Sequence, residues 1–389
     1  MTDDVLYWVW LQQVLGYASK KVRTVEKMYK TAKNFYNSGI NDWKLCGCFT
    51  KSEINRMETY TLREANEIVS SCKGYHQNII TYDSNEYPKT LKNIENPPCV
   101  LYVKGKLPNF DSGISISIVG TRSATPYGIS AANNLSCDLS REGIIIVSGG
   151  ALGIDKAAHV GALKAGGKTV AVLGCGINYN YLSANAYMRR QICENGALIS
   201  EYAPGYPAYP RNFPLRNRII SGLTLGTMVV EADEKSGSLI TANLALEQNR
   251  DVFAVPGNIG NTCSSGTNAL IRLGAIPVLS AQDVINEYAH KRNALTNPTN
   301  NSSHIGSDVE DLKHDCVENG LDLVDEQPDL SGLSEDAVKL YSILTNQPKY
   351  IDDIIMQSCI SSSKALQLIT ELELNNLIDS HSGKRYSKK

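Results

Sequence analysis

No stretch of about 18 consecutive apolar residues occurs in the 389-residue chain, which argues against a membrane-spanning helix. No Cys-x-x-Cys pair occurs either. The ten cysteines are scattered, and the nearest two, Cys46 and Cys48, have no histidine at ligand spacing nearby. Reduced thiols in a cytoplasmic protein are therefore expected, with no metal site. The phosphate-loop pattern Gly-x-x-x-x-Gly-Lys-Ser/Thr is missing, which argues against an ATPase of that type. The spacing Gly-x-Gly-x-x-Gly with an acid about twenty residues on is not met, so no dinucleotide cofactor is expected. The N-terminal MTDDVLYWVWLQQ carries acids where a signal peptide carries basic residues. The formal charge of −2 excludes a uniformly basic surface but leaves open where the charges sit.

What is present has a clear internal order. The length suggests two or three domains, and 42% hydrophobic residues are enough for a real core. Ser115 to Ser280 holds thirteen Lys and Arg against ten Asp and Glu, whereas His290 to Ser334 holds three against nine. A mildly basic middle is thus masked by an acidic segment. Residues 1–77 read as a small helical domain, with Trp8, Trp10 and Trp43 as core. Two short strands, Ile79 to Tyr82 and Cys99 to Val103, flank a turn-rich lead-in holding Pro88, Pro97 and Pro98. Residues 78–290 then alternate strand, glycine turn and helix, which predicts an α/β Rossmann-like, doubly wound and mostly parallel sheet. Residues 291–333 read as a flexible acidic linker. Residues 334–389 give three helices and a terminal ribbon, a winged-helix-like domain. Its longer helix has one lysine, Lys364, against Glu371 and Glu373, which favours protein contact or dimerisation over reading of a DNA groove.

The middle domain is organised around IIIVSGGALGIDKAAHVG, residues 144–161. A continuous apolar run suits a strand buried on both faces. Ser148, Gly149, Gly150 and Gly153 then turn the chain into a helix whose first N–H groups predict an anion site. In a doubly wound sheet, ligands bind beyond the carboxyl ends of the strands, and every conspicuous turn leaves from such an end. VGTRSATPYG places Gly120 and Arg122 there, and LGCGINYNY places Gly174 and Gly176. YPRNFPLRNRIISGL groups Arg211, Phe213, Arg216, Asn217 and Arg218, in which guanidinium groups beside an aromatic suit the phosphates and bases of single-stranded nucleic acid. EADEKSGSLITANLAL sets Ser236, Gly237 and Ser238 before another helix. Several phosphate-sized sites along one rim suit a chain of phosphates better than one nucleotide. Glu231 and Asp233 are the carboxylates placed for acid–base work, and Glu231 would serve the alternative of a nucleotide-processing enzyme of phosphoribohydrolase type.

These blocks, from YDSNEYPKTL and PPCVLYVKG through VGTR, SGGALGID, AVLGCGIN, SEYAPG, FPLRNRIISGL, VVEA, SGSLITA, FAVPG and GTNALIRLGA, resemble those of the DNA-processing DprA (Smf) family over roughly Ile79 to Tyr288. The resemblance implies a single-stranded DNA-binding protein of natural transformation that protects incoming strands and helps load the RecA recombinase. It also implies a homodimer formed through the Rossmann-like domain and no established catalytic reaction. By motif it assigns Arg122, the Ser148 to Gly150 turn, Phe213, Arg216, Asn217, Arg218 and the Ser236 to Ser238 turn to DNA. One departure stands out: Tyr181-Leu182 replaces the usual Tyr-Pro, which unsettles the local loop and any contact of Asn185.

Overall fold

The computed structural model describes residues 4–290, 334–345, 349–358, 360, 362–375, 377–381 and 385–388, so the expected acidic linker lies outside the described residues. The chain forms two compact units, Met1–Ser303 and His304–Lys389. Unit one opens with five helices: α1 (Asp4–Leu15), α2 (Val22–Tyr29), α3 (Ala32–Leu45), α4 (Lys51–Thr59) and α5 (Leu62–Gly74). Capping chemistry starts α4, where the Thr50 hydroxyl accepts from the Glu53 N–H and the Glu53 carboxylate accepts from the Thr50 N–H at 2.7 Å. Trp8, Trp10 and Trp43 are core, as expected. Their core is continuous with Val100, Leu101 and Val170 of the sheet, so the helices are built onto the sheet rather than standing apart at residue 77.

The sheet has nine strands: β1 (Asn78–Thr81), β2 (Val100–Gly105), β3 (Ser115–Val119), β4 (Ile145–Ser148), β5 (Thr169–Leu173), β6 (Ala197–Ser200), β7 (Gly226–Val229), β8 (Asp251–Ala254) and β9 (Ile276–Pro277). Their order is β1-β2-β6-β5-β4-β3-β7-β8-β9. β3 to β9 pair in parallel, while β2 joins β6 antiparallel and carries β1 with it. The two lead-in strands thus extend the same sheet. Between the strands lie α6 (Lys89–Lys92), α7 (Pro126–Arg141), α8 (Ile154–Lys164), α9 (Ala186–Asn195), α10 (Asn212–Gly222), α11 (Gly237–Glu247) and α12 (Thr262–Arg272), and α13 (Ala281–Glu287) follows β9.

Burial on both faces explains the apolar strands. One face packs Ile116, Ile118 and Ile146 against Leu135 of α7, Ala158 of α8 and Val284 of α13. The other packs Val147, Val172 and Val229 with Ile219 of α10 and Ala242 of α11. Serines inside β3 are tolerated because their hydroxyls are satisfied: Ser117 donates to Thr227 at 2.7 Å and Ser115 to the Leu223 carbonyl at 3.1 Å. Helix α12 begins at Thr262. Its first turn, TCSSGT, has poor helix formers, but the Asn261 side chain accepts from the Cys263 N–H and caps it.

The second unit holds α14 (Glu335–Ile343), β10 (Lys349–Tyr350), α15 (Ile351–Ser358), α16 (Ser362–Leu374), β11 (Ile378–His381) and β12 (Arg385–Lys388). The ribbon pairs in the order β10-β12-β11, and Leu340, Ile354, Leu368 and Leu372 form a separate small core. This is the expected winged-helix plan. Lys364, the one lysine of α16, is ion-paired with Asp336.

Candidate functional site

From β3 the chain winds outward through β4, β5 and β6, then returns to lay β7 on the other side of β3. The loops after β3 and β7 therefore diverge, and a crevice opens at that switch point. A cleft of about 600 Å³ occupies it, lined by segments that follow five successive parallel strands. Backbone closeness shapes the floor. Gly153 has φ +72°, and a Cβ there would stand 2.3 Å from the Thr121 carbonyl oxygen, so the turn after β4 lies directly against the loop after β3.

Arg122 rises from that loop, exposed, with its guanidinium carbon 5.4 Å from the Phe213 ring centroid. Phe213 is half-buried at the start of α10. Its ring also meets Tyr181 at 5.2 Å, and Gly174 leaves the space that the ring fills. Beneath it Arg216 is buried, donating from Nη1 to the Gly149 carbonyl at 2.6 Å and to the Val172 carbonyl. Arg216 thus ties the ends of β4 and β5 together and faces the cleft from its floor, not as an outward-reaching clamp. Burial pushes its pKa down, with Asp155 opposing. Burial in turn pushes the Asp155 carboxyl up against the pull of Arg216.

The remaining expected site residues divide. Asn217, Ser236, Gly237 and Ser238 line the cleft, and the Ser236 and Ser238 hydroxyls lie 2.8 Å apart at the N-terminus of α11. Gly120 lines it too, and a Cβ there would collide with Ile154 of α8 at 2.5 Å. Arg211 is exposed beside the cleft with its guanidinium over the Tyr209 ring at 5.6 Å.

Four expectations need correction. Ser148 is the last residue of β4, fully buried, and its hydroxyl donates to the Ile118 carbonyl at 2.6 Å, which leaves it unavailable to a ligand. The turn that follows is less open to anions than its glycines suggest. The Ala151 N–H goes to the Asp155 carboxylate at 3.3 Å and the Ile154 N–H to the Thr121 carbonyl at 3.2 Å. Gly149 and Gly150 are buried: Gly149 leaves room for the Arg216 guanidinium and the Asp155 carboxylate, and Gly150 takes φ +65°. Arg218 is 2% exposed, and its Nη2 donates to both Glu201 oxygens at 2.7 Å. It is a buried ion-pair partner, not a phosphate contact. Glu231 is also buried and outside the cleft lining, with one carboxylate oxygen accepting from the Thr125 N–H at 2.9 Å and the other from the Thr125 hydroxyl. There it braces the start of α7, and the phosphoribohydrolase alternative loses its acid–base residue.

Asn185, by contrast, has a defined place. Its side-chain amide donates to the Gly150 and Ala151 carbonyls at 3.1 and 3.2 Å. Leu182 takes φ +53°, a left-handed conformation that proline cannot adopt, so the departure from Tyr-Pro does reshape the loop while the asparagine still grips the glycine turn. Tyr181 and Tyr209 were not singled out as site residues from the sequence. Their signal was aromatic residues within the segments after β5 and β6.

His159 lies one turn into α8, fully buried, with Nδ1 2.7 Å from the Thr169 hydroxyl. Burial, reinforced by the charge of Arg216, depresses its pKa to about 3. The unfolded chain takes up a proton near pH 6.5 while the native protein does not, so stability falls as pH drops below 6.5. Between pH 7 and pH 5 the loss from this group is about 2 kcal/mol. Melting curves at both pH values test this, with His159→Gln expected to flatten the pH dependence; an equal drop in wild type and variant would remove His159 as its cause.

Fold and cleft together define an α/β protein with an aromatic-walled, arginine-bearing cleft at a topological switch point. A family model described as DNA recombination-mediator protein A matches residues 78–289, and one described as the DprA winged helix domain matches residues 324–384. The chain belongs to the DprA family of DNA-processing proteins. It is 42% identical over 221 residues to DNA processing protein DprA of Bacillus subtilis, covering 57% of this chain and 74% of that one. With the Streptococcus pneumoniae protein the identity is 43% over 202 residues, or 52% and 71% of the two chains. A crystal structure of DNA processing protein A from Streptococcus pneumoniae aligns with TM-score 0.63 and 32% identity, over 74% of this chain and 99% of that one. The Helicobacter pylori protein, solved for its single-stranded DNA binding mode, aligns with TM-score 0.50 and 32% identity over 56% and 98%. No helix among the described residues is long and apolar enough to cross a membrane.

Proposed function

We propose that this protein binds single-stranded DNA in the switch-point cleft with little regard to sequence, and performs no chemistry on it. The observation that carries this reading is the exposed Arg122 guanidinium on the half-buried Phe213 ring, above the buried charge of Arg216. A ring flanked by arginine offers a base a face to stack on and its phosphate a partner, the combination that single-strand binders use. The Ser236 to Ser238 turn adds hydroxyls and a helix N-terminus for a second phosphate. The single-strand binding of the Helicobacter pylori relative supports the same reading. Within it, the protein acts in the cytoplasm during natural transformation. As a homodimer it protects incoming strands and helps load the RecA recombinase.

The test is binding of equal-length single-stranded and duplex oligonucleotides over a salt series. Preference for the single strand, with affinity falling steeply as salt rises, is expected. Phe213→Ala should cost about 1–3 kcal/mol of binding, and Arg122→Ala should weaken all sequences alike while lowering the salt slope by about 1. Equal, weak binding to both nucleic acids, unaltered by either substitution, would overturn the assignment.

A further inference from the structure

Arginine sits over an aromatic ring four times among the described residues of the first unit: Arg122 and Arg216 on Phe213, Arg211 on Tyr209 and Arg190 on Tyr187. All four lie at the carboxyl edge of the sheet. The first two contacts belong to the cleft. The other two are outside its lining, yet they continue it in a definite direction. Tyr187 and Arg190 are in the first half of α9, which follows β5, and Tyr209 and Arg211 immediately precede α10, which follows β6. β5 and β6 are neighbours, so both pairs extend the edge to the same side of the switch point.

Two contacts join these pairs to the cleft. Pro210, between Tyr209 and Arg211, lines it, and Asn185, two residues before Tyr187, holds the Gly150 and Ala151 carbonyls. The rings are available, since Tyr187 is 67% exposed and Tyr209 46% exposed. Burial does not explain such rings, whereas an arginine laid along an exposed ring presents both a stacking face and a phosphate partner. On the opposite side, the turn after β7 carries exposed Asp233, Glu234 and Lys235, a net negative charge with no ring–arginine pair, and Asp233 also lines the cleft.

We propose that a single strand leaving the cleft runs over the carboxyl ends of β5 and β6, with Tyr209 and Tyr187 as further base platforms and Arg211 and Arg190 as their phosphate partners. This deepens the single-strand reading and rests on it. The strand exits away from β7, and the site is longer than the cleft.

Fluorescence anisotropy with oligothymidylates of about 6 and about 20 nucleotides tests the track, the lengths bracketing the span of one binding module. Two double variants are compared with wild type: Tyr187→Ala with Arg190→Ala, and Tyr209→Ala with Arg211→Ala. Each should weaken the long oligonucleotide about tenfold and leave the short one within about twofold. Unchanged binding of the long strand by both variants overturns the track. An equal loss at both lengths also overturns it, because the residues would then be acting on the cleft or the fold. Glu234→Gln, outside the cleft lining, provides a second readout: a gain of about threefold or more for the long strand alone would place the exit beyond β7 and overturn the direction. Failure of wild type to bind either oligonucleotide is a different result and removes the single-strand reading itself.

Discussion

Arg218→Ala is expected to lower stability by about 3–5 kcal/mol, because it leaves the Glu201 carboxylate buried without its counter-ion. Glu201 is 1% exposed and keeps only the Ala18 N–H, at 3.2 Å, once the guanidinium is gone. That N–H comes from the loop after α1, so the ion pair also fastens the helical region to the strand that precedes α10. Replacing both charges, Arg218→Leu with Glu201→Leu, removes the uncompensated charge and should recover more than half of the loss. Thermal or denaturant unfolding of both variants beside wild type measures this. A low-temperature binding assay separates it from DNA contact, since folded Arg218→Ala should hold single-stranded DNA better than Arg122→Ala does. An unchanged melting temperature together with lost affinity would return Arg218 to the binding surface.

That ion pair also shows where the sequence is legible and where it is not. The strands, their parallel winding and the edge on which the glycine turns gather follow from apolar runs bounded by glycine, and the structure places them within a few residues. Side-chain direction on α10 did not follow. By spacing alone the motif groups Arg216 and Arg218 together at the start of the helix. The helix begins at Asn212, and residues two apart on a helix point about 200° from one another. One arginine is therefore turned to the cleft floor and the other to Glu201. Both partners come from distant strand ends, which local spacing cannot reveal. Ser148 follows the same logic, since extending β4 by one residue converts a presumed ligand hydroxyl into a strand residue bonded to Ile118. The Asp155 contact to Ala151 was within reach of the sequence, because a carboxylate in the first turn of a helix competes for the N–H groups that would otherwise bind a ligand.

Gly153→Ala should lose about 3 kcal/mol or more and, unlike most glycine substitutions in this chain, should also disable the cleft. The residue has φ +72° and ψ −127°, a region essentially closed to side chains, at a cost of about 1–3 kcal/mol. The added Cβ would also stand 2.3 Å from the Thr121 carbonyl oxygen and 2.6 Å from that of Arg122. These are backbone atoms, which cannot rotate aside, so the loop that carries Arg122 must move away from the glycine turn. Phe213 then loses the guanidinium on its face, and single-strand binding should fall along with the melting temperature. Gly237→Ala, on the same rim, is the control. Nothing lies within 4 Å of a Cβ at that position, it opens α11, and alanine favours a helix, so stability should rise slightly or stay within about 0.5 kcal/mol. The contrast rests on contact rather than on glycine as a residue type. A Gly153→Ala protein with wild-type melting and binding would mean that the turn and the Arg122 loop are not packed as the cleft requires.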